Sequence, residues 1–179
     1  MPGSYQVRLT VDGRAQTQPL VVKKHTLYTS ITQADLEAQF ALAIRIRDKV
    51  GEANEAVIRI RELKGQVADR LTKSSDARLK SSGDALTTAL SSVEEAIYQV
   101  RNQSGQDPLN FPIKINNRIA SLSRVVNSGD GRPIANAEPI FNDLVAELKV
   151  ETDRLARVVA TEMTAFNREA ARLGLDAVK

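Results

Sequence analysis

The apolar positions of this chain change period near residue 30. Tyr5, Val7, Leu9 and Val11 alternate with polar residues, the two-residue period that puts every second side chain on one face of a strand. Beyond residue 30, apolar residues recur every three to four positions almost to the C-terminus, the period of amphipathic helices. Asp12-Gly13 separates two strand-like runs, and a type I′ turn needs positive φ at both central residues, so residues 4–22 are predicted to form a β-hairpin. Leu20, Val21 and Val22 continue its second strand, where Pro19, lacking an N–H, fits only an edge or a bulge. A lone hairpin is marginal in water. This one must pack on the helices or belong to a sheet elsewhere.

The first helix is predicted to start at Thr32, with Asp35 completing a variant capping box. Its seam reads Leu36, Phe40, Ala43, Ile46, Val50, Ala53, Val57, Ile60, Leu63, Val67 and Leu71. After the polar break Lys73-Ser74-Ser75-Asp76, a second helix carries Leu79, Gly83, Leu86, Leu90, Val93, Ile97 and Val100 inward. It should stop around Gln103-Ser104-Gly105, because glycine readily takes the left-handed conformation after a helix. A shorter third helix places Ile115, Ile119, Leu122 and Val126 inward and is stopped by Ser128-Gly129-Asp130-Gly131. The last helix starts near Asn136, since Pro139 is tolerated in a first turn and not deeper. Its inward set is Phe141, Leu144, Leu148, Leu155, Val159, Met163, Phe166, Ala170 and Leu173. The expected fold is mainly α: an antiparallel bundle of three long helices and one short one over residues 30–179, behind a hairpin and linker over residues 1–29.

Charge narrows the partners. The pI is near 9.3, which invites a nucleic-acid reading. The excess, however, sits in residues 1–30, where Arg8, Arg14, Lys23 and Lys24 face only Asp12, while the rest is balanced. Aromatic residues are few and tryptophan is absent, which disfavours a stacking platform for bases or sugar rings. Nucleic-acid binding is therefore not expected. No apolar run approaches the length needed to cross a bilayer, so membrane insertion is not expected either. Met1 to Tyr5 has neither the basic start nor the apolar stretch of a signal peptide.

Candidate chemistry is sparse. No cysteine is present, which excludes disulfides and thiolate metal sites. The one histidine, His25, lies in the basic linker and reads as a solvated residue; zinc triads, di-iron Glu-x-x-His pairs and a Ser-His-Asp relay all need more. No phosphate-cradling glycine motif occurs. The stretch from Asn127 to Glu138 has a superficial calcium-loop look, but Gly129 and Gly131 stand where oxygen ligands are needed and Arg132 where glycine makes the turn. Glu151 and Glu162 fall on or beside the apolar seam; pairing with Arg154 or Arg157 is the simpler reading than acid–base work. Asn102-Gln103-Ser104 fits a glycosylation sequon, a match that arises easily by chance. Neither a catalytic residue, a metal nor a cofactor is expected. Ile44-Arg45-Ile46-Arg47 returns two heptads later as Ile58-Arg59-Ile60-Arg61, either a basic stripe or a solvated face neutralised by Asp48, Glu52, Glu55 and Glu62.

The segment that resists a generic description runs from Asn102 to Asn117. Asn102, Gln103, Gln106, Asn110, Asn116 and Asn117 supply side-chain amides that both donate and accept, interleaved with Asp107, Leu109, Phe111 and prolines. Two readings stand. Leu109 and Phe111 plug the end of the bundle while Asn110 caps a helix opened by Pro112, or the amides hold a peptide or glycan.

This segment, with Gly3-Ser4-Tyr5-Gln6-Val7-Arg8-Leu9, Asp12-Gly13, Gln39-Phe40-Ala41 and Ile46-Arg47-Asp48, resembles the C-terminal region of large bacterial exported β-propeller proteins of the sortilin-like, BNR-repeat or glycosyl-hydrolase-like kind. The likeness covers nearly all of this chain but only the tail of such a protein. It implies that the hairpin is the closing hairpin, here a remnant, of an immunoglobulin-like sandwich. It also implies a periplasmic or extracellular location and a non-catalytic accessory bundle whose partners are the upstream propeller and sandwich. Lys23-Lys24-His25-Thr26 departs from the Asp-Pro-Arg-like turn of that family, and Phe111 stands where tyrosine is usual.

Overall fold

A computed structural model describes every residue from Met1 to Lys179. Forty residues, Gln33–Thr72, form one helix, α1, about 60 Å long at 1.5 Å per residue. Its start is as expected: the Thr32 hydroxyl accepts from the Asp35 N–H at 3.1 Å and Asp35 accepts from the Thr32 N–H at 3.0 Å. Helix α2, Ala77–Ile97, is capped by Asp76, which accepts from the Arg78 and Leu79 N–H groups. Helix α3 is Ile115–Val126 and helix α4 is Ala137–Val158. A π turn over Val159–Met163 carries α4 on into α5, Thr164–Arg172.

Cross-helix pairs define the arrangement. Gly83 lies against Leu71, and Glu94 against Arg61 and Lys64, so α2 runs antiparallel to the second half of α1. Asn116 meets Asn54, and Val126 meets Gln39, so α3 continues in the same direction along the first half. Helices α2 and α3 are thus stacked in series beside one long α1. The α4–α5 rod returns as a third column, from Arg45–Glu138 through Arg118–Glu147 and Arg154–Ser92 to Arg172–Asp76. The core runs through all three: Ile46, Ile60, Leu63 and Val67 of α1; Leu79, Leu86, Leu90, Val93 and Ile97 of α2; Ile119 of α3; Leu148 and Phe166 of the third column.

Several expectations are corrected. Phe40 is half exposed and Leu42 is buried in its place, because α3 approaches α1 from the Leu42 side at this level. Helix α2 stops at Ile97, since Tyr98 turns extended at φ −128° and ψ 143°, and Val100 stands exposed rather than inward. Asn136 has the expected position before α4, but its side chain makes no cap bond. The π turn inserts an extra residue into the helical repeat. Val158 is buried there, Leu155, Val159 and Met163 are only partly so, and Phe166 and Ala170 regain the core.

The hairpin forms with the expected register. Strands β1, Gly3–Val11, and β2, Arg14–Val22, pair antiparallel with Tyr5 opposite Leu20 and Val11 opposite Arg14. Asp12 and Gly13 have φ of 48° and 76°, as a type I′ turn demands. Every residue of both strands is exposed. The foot of the hairpin abuts the bundle, where Met1, Pro2 and Val22 share a cleft with Leu36, Gln39, Phe40 and Ala43.

Two outcomes check this packing. A Cβ at Gly83 would stand 3.1 Å from Leu71 Cδ1 and 3.2 Å from Phe166 Cε2, so Gly83→Val should cost about 1–3 kcal/mol of stability by urea denaturation. Asp35 is held at a pKa of about 2 against an ordinary 3.8, by the Thr32 hydroxyl first and then by Arg132. Because the folded value is the lower one, its contribution is complete above pH 3.8 and is lost as pH falls toward 2. The melting temperature should therefore fall across that window, and Asp35→Asn should flatten part of the fall; identical profiles for both chains would contradict this assignment.

Candidate functional site

The amide-rich segment is a side loop at the waist of the bundle rather than a plug at its end. It joins α2 to α3, which lie in series along α1, so residues 98–114 leave the column midway. Gln99 anchors the exit. Its side chain is buried, Nε2 donates to the Pro112 carbonyl at 2.9 Å and Oε1 accepts from the Arg101 N–H at 3.3 Å. One amide thereby fastens both ends of the loop.

Asp107 organises the interior. It accepts from the Gln103 N–H at 2.5 Å, the Ser104 N–H at 2.7 Å and the Ser104 hydroxyl at 3.0 Å. Those backbone donors, Gln103 foremost, hold its carboxyl below the usual range. The carboxylate is thus committed as a turn acceptor. A single 3₁₀ turn over Asp107–Leu109 follows, closed by Asn110, whose N–H donates to the Asp107 carbonyl at 2.9 Å.

The plug reading fails for Leu109, which is 85% exposed. Phe111 is partly buried and lies under the Arg101 guanidinium, 4.1 Å from its ring centroid, a cation–π geometry. Asn110 caps no helix, because α3 begins only at Ile115, where Lys114 offers no side-chain cap. Pro112 fixes the approach instead of opening the helix: its carbonyl is the Gln99 acceptor. Asn116 is buried, donating to Asn54 Oδ1 at 3.4 Å and accepting from the Asn117 N–H at 2.7 Å. The Oδ1 atoms of Asn102 and Asn117 are buried acceptors with no donor. Gln103, Gln106 and Asn110 face solvent. The loop therefore presents Val100, Leu109 and Ile113 as exposed apolar side chains with a rim of free amides. Such chemistry suits contact with a peptide or another surface.

A second surface is the hairpin. Tyr5, Val7, Leu9 and Val11 share one face with Leu20 and Val22 by the pairing register, and all six are exposed. The linker after it turns at His25, whose Nδ1 accepts from the Leu27 N–H at 3.2 Å while its ring meets Tyr28.

The remaining charged candidates are structural. Arg45 pairs with Glu138 and lies over Phe141, Arg47 pairs with Asp48, Arg59 lies 3.8 Å from Glu62, and Arg61 pairs with Glu94 at 2.6 Å. The repeated Ile-Arg motif is thus no unpaired basic stripe. Glu94 is buried; burial raises its pKa, but Arg61 and Lys64 outweigh that and the net shift is downward. Sequence reading missed Glu94, although its place beside Val93 of the α2 seam marks it as a residue needing a cation. Glu151 is largely buried with Arg154 at 3.6 Å. No cluster of three or more His, Asp or Glu side chains is arranged to hold a metal ion.

Stability separates anchor from exposed surface. Leu109→Ser should change the unfolding free energy by no more than about 0.5 kcal/mol, whereas Gln99→Ala, which frees the Pro112 carbonyl, should cost about 1–3 kcal/mol in urea denaturation. Compared with known proteins, the chain matches no family model, no curated protein and no solved structure.

Proposed function

We propose that this chain is a non-catalytic interaction module, a rigid helical bundle that carries an amphipathic hairpin as its docking element. The observation that carries the reading is the contrast between the two parts. The bundle closes its own core, while the six apolar side chains of the hairpin face stay in water. Burying such a side chain is worth about 1.5–3 kcal/mol, and a two-stranded sheet is marginal alone. A hairpin of this kind gains stability by completing a β-layer of a neighbouring domain. Its unpaired strand edges supply main-chain hydrogen bonds and its apolar face supplies core.

The resemblance to the C-terminal region of exported sortilin-like, BNR-repeat propeller proteins supplies the proposed neighbour: the sandwich and propeller upstream, in a periplasmic or extracellular protein. The glycosyl-hydrolase-like label of such proteins transfers no catalytic residue to this chain. A second reading, an independent peptide- or glycan-binding module using residues 102–117, draws on the exposure of Leu109 and the free amides around it.

Calorimetry of this chain against the separately produced upstream region distinguishes them. The docking reading expects one-to-one binding at micromolar affinity or tighter. Val7→Asp with Leu9→Asp should abolish it and leave the melting temperature unchanged, because neither residue touches the bundle core. Absence of binding, or binding indifferent to these substitutions and lost instead with Leu109→Ser, would overturn it.

A further inference from the structure

The last residues of the chain are held in an unusual way. Helix α5 ends in a paired turn: the Leu175 N–H donates to the Ala170 carbonyl and the Gly174 N–H to the Ala171 carbonyl, with Gly174 at φ 70°. The segment then doubles back along α1. Asn167 of α5 pairs with Val178 through both arms of its carboxamide, accepting from the Val178 N–H at 2.8 Å and donating to the Val178 carbonyl at 2.9 Å. Gln66 of α1 does the same to the next residue, accepting from the Lys179 N–H at 2.9 Å and donating to its main-chain oxygen at 3.0 Å. Arg59 adds a second donor to the Lys179 main-chain oxygen at 2.8 Å, and Arg70 donates to the Asp176 carbonyl at 2.8 Å. The Val178 side chain is 1% exposed and joins the core, while Ala177 and Lys179 point to water.

Each carboxamide stands where a neighbouring strand would place its own N–H and C=O. Successive residues of an extended chain turn their main-chain groups to opposite sides, and here α5 takes one side and α1 the other. Main-chain pairing of this sort supplies affinity without regard to sequence, and a pocket for one side chain supplies selectivity.

We propose that the α1–α5 groove is a peptide-binding site, specific for an extended segment with a valine-sized apolar residue, and that residues Asp176–Lys179 are its occupant in cis. Tethering gives that occupant an effective concentration of the order of millimolar. A peptide of the same chemistry must therefore outcompete it or find it released. The segment leaves α5 at Gly174, whose φ of 70° and open surroundings put no neighbour in the way of its release.

The probe is a fluorescent, acetylated and amidated peptide with the sequence of residues 174–179, applied to the full chain and to Val178→Asp, which expels its own segment. Fluorescence anisotropy should show binding to the folded Val178→Asp chain at least tenfold tighter than to the unaltered one. Adding Asn167→Ala or Gln66→Ala should weaken it at least tenfold again. A peptide with aspartate in place of its valine should bind neither. Should Val178→Asp fail to fold, hydrogen exchange on the unaltered chain decides: excess peptide should accelerate exchange at the Val178 and Lys179 amides while the α1 amides near Leu63 stay protected. No binding to a folded Val178→Asp chain, binding indifferent to Asn167 and Gln66, or exchange unmoved by peptide would each overturn the proposal.

Discussion

The apolar seam of α1, from Leu36 to Val67, is the constraint on which the other elements depend. A helix of this length needs cover along its whole face, and the cover comes in two ways. The α4–α5 rod meets it through α4 and packs its α5 end on α2, adjusted by the π turn at Val159–Met163. The other column is assembled from α2 and α3, neither long enough alone. The loop between them must leave sideways, at the waist, and it is exposed for that reason. Gln99 makes the exit tolerable by satisfying the Pro112 carbonyl and its own neighbourhood at once.

Charge is distributed to match. Inside the bundle, cations and carboxylates meet across helices, with Glu94 the most deeply placed and held by both Arg61 and Lys64. Removing a buried partner is costly because it strands a charge; the half-exposed Arg61 and Lys64 can still reach water, which moderates that cost here. The hairpin is the opposite case, cationic and apolar at once, with nothing folded over it. That asymmetry is why the proposed role resides in the hairpin rather than in the helical body.

Local signals were legible. The turn at Asp12-Gly13, the box at Thr32 and Asp35 and the stop after Val126 each rest on backbone chemistry within a few residues, and each stands in the structure. Periodicity located most of the core. It failed at Phe40, where two phases of the helix compete and only the position of α3 decides. It failed at Val100 because α2 has no sequence signal for stopping at Ile97; the extended Tyr98 is stabilised from outside, by Arg61 5.0 Å from its ring and by the Gln99 clasp beyond it. Long-range pairings were out of reach. Leu109 is exposed because its loop lies at the waist, and nothing within residues 102–117 encodes that α2 and α3 share one column. The clasp of Val178 by Asn167 and of Lys179 by Gln66 is likewise invisible in a helical repeat, where both amides look like ordinary surface residues.

Hydrogen exchange on the isolated chain tests most directly whether the bundle stands alone and the hairpin awaits a partner. Amides of β1 and β2 should exchange within a few tens of fold of the unstructured rate, while those around Ile60 and Leu90 should open only with global unfolding. Protection of the hairpin equal to that of the core would contradict the account, since it would make the hairpin an integral part of the bundle's own fold.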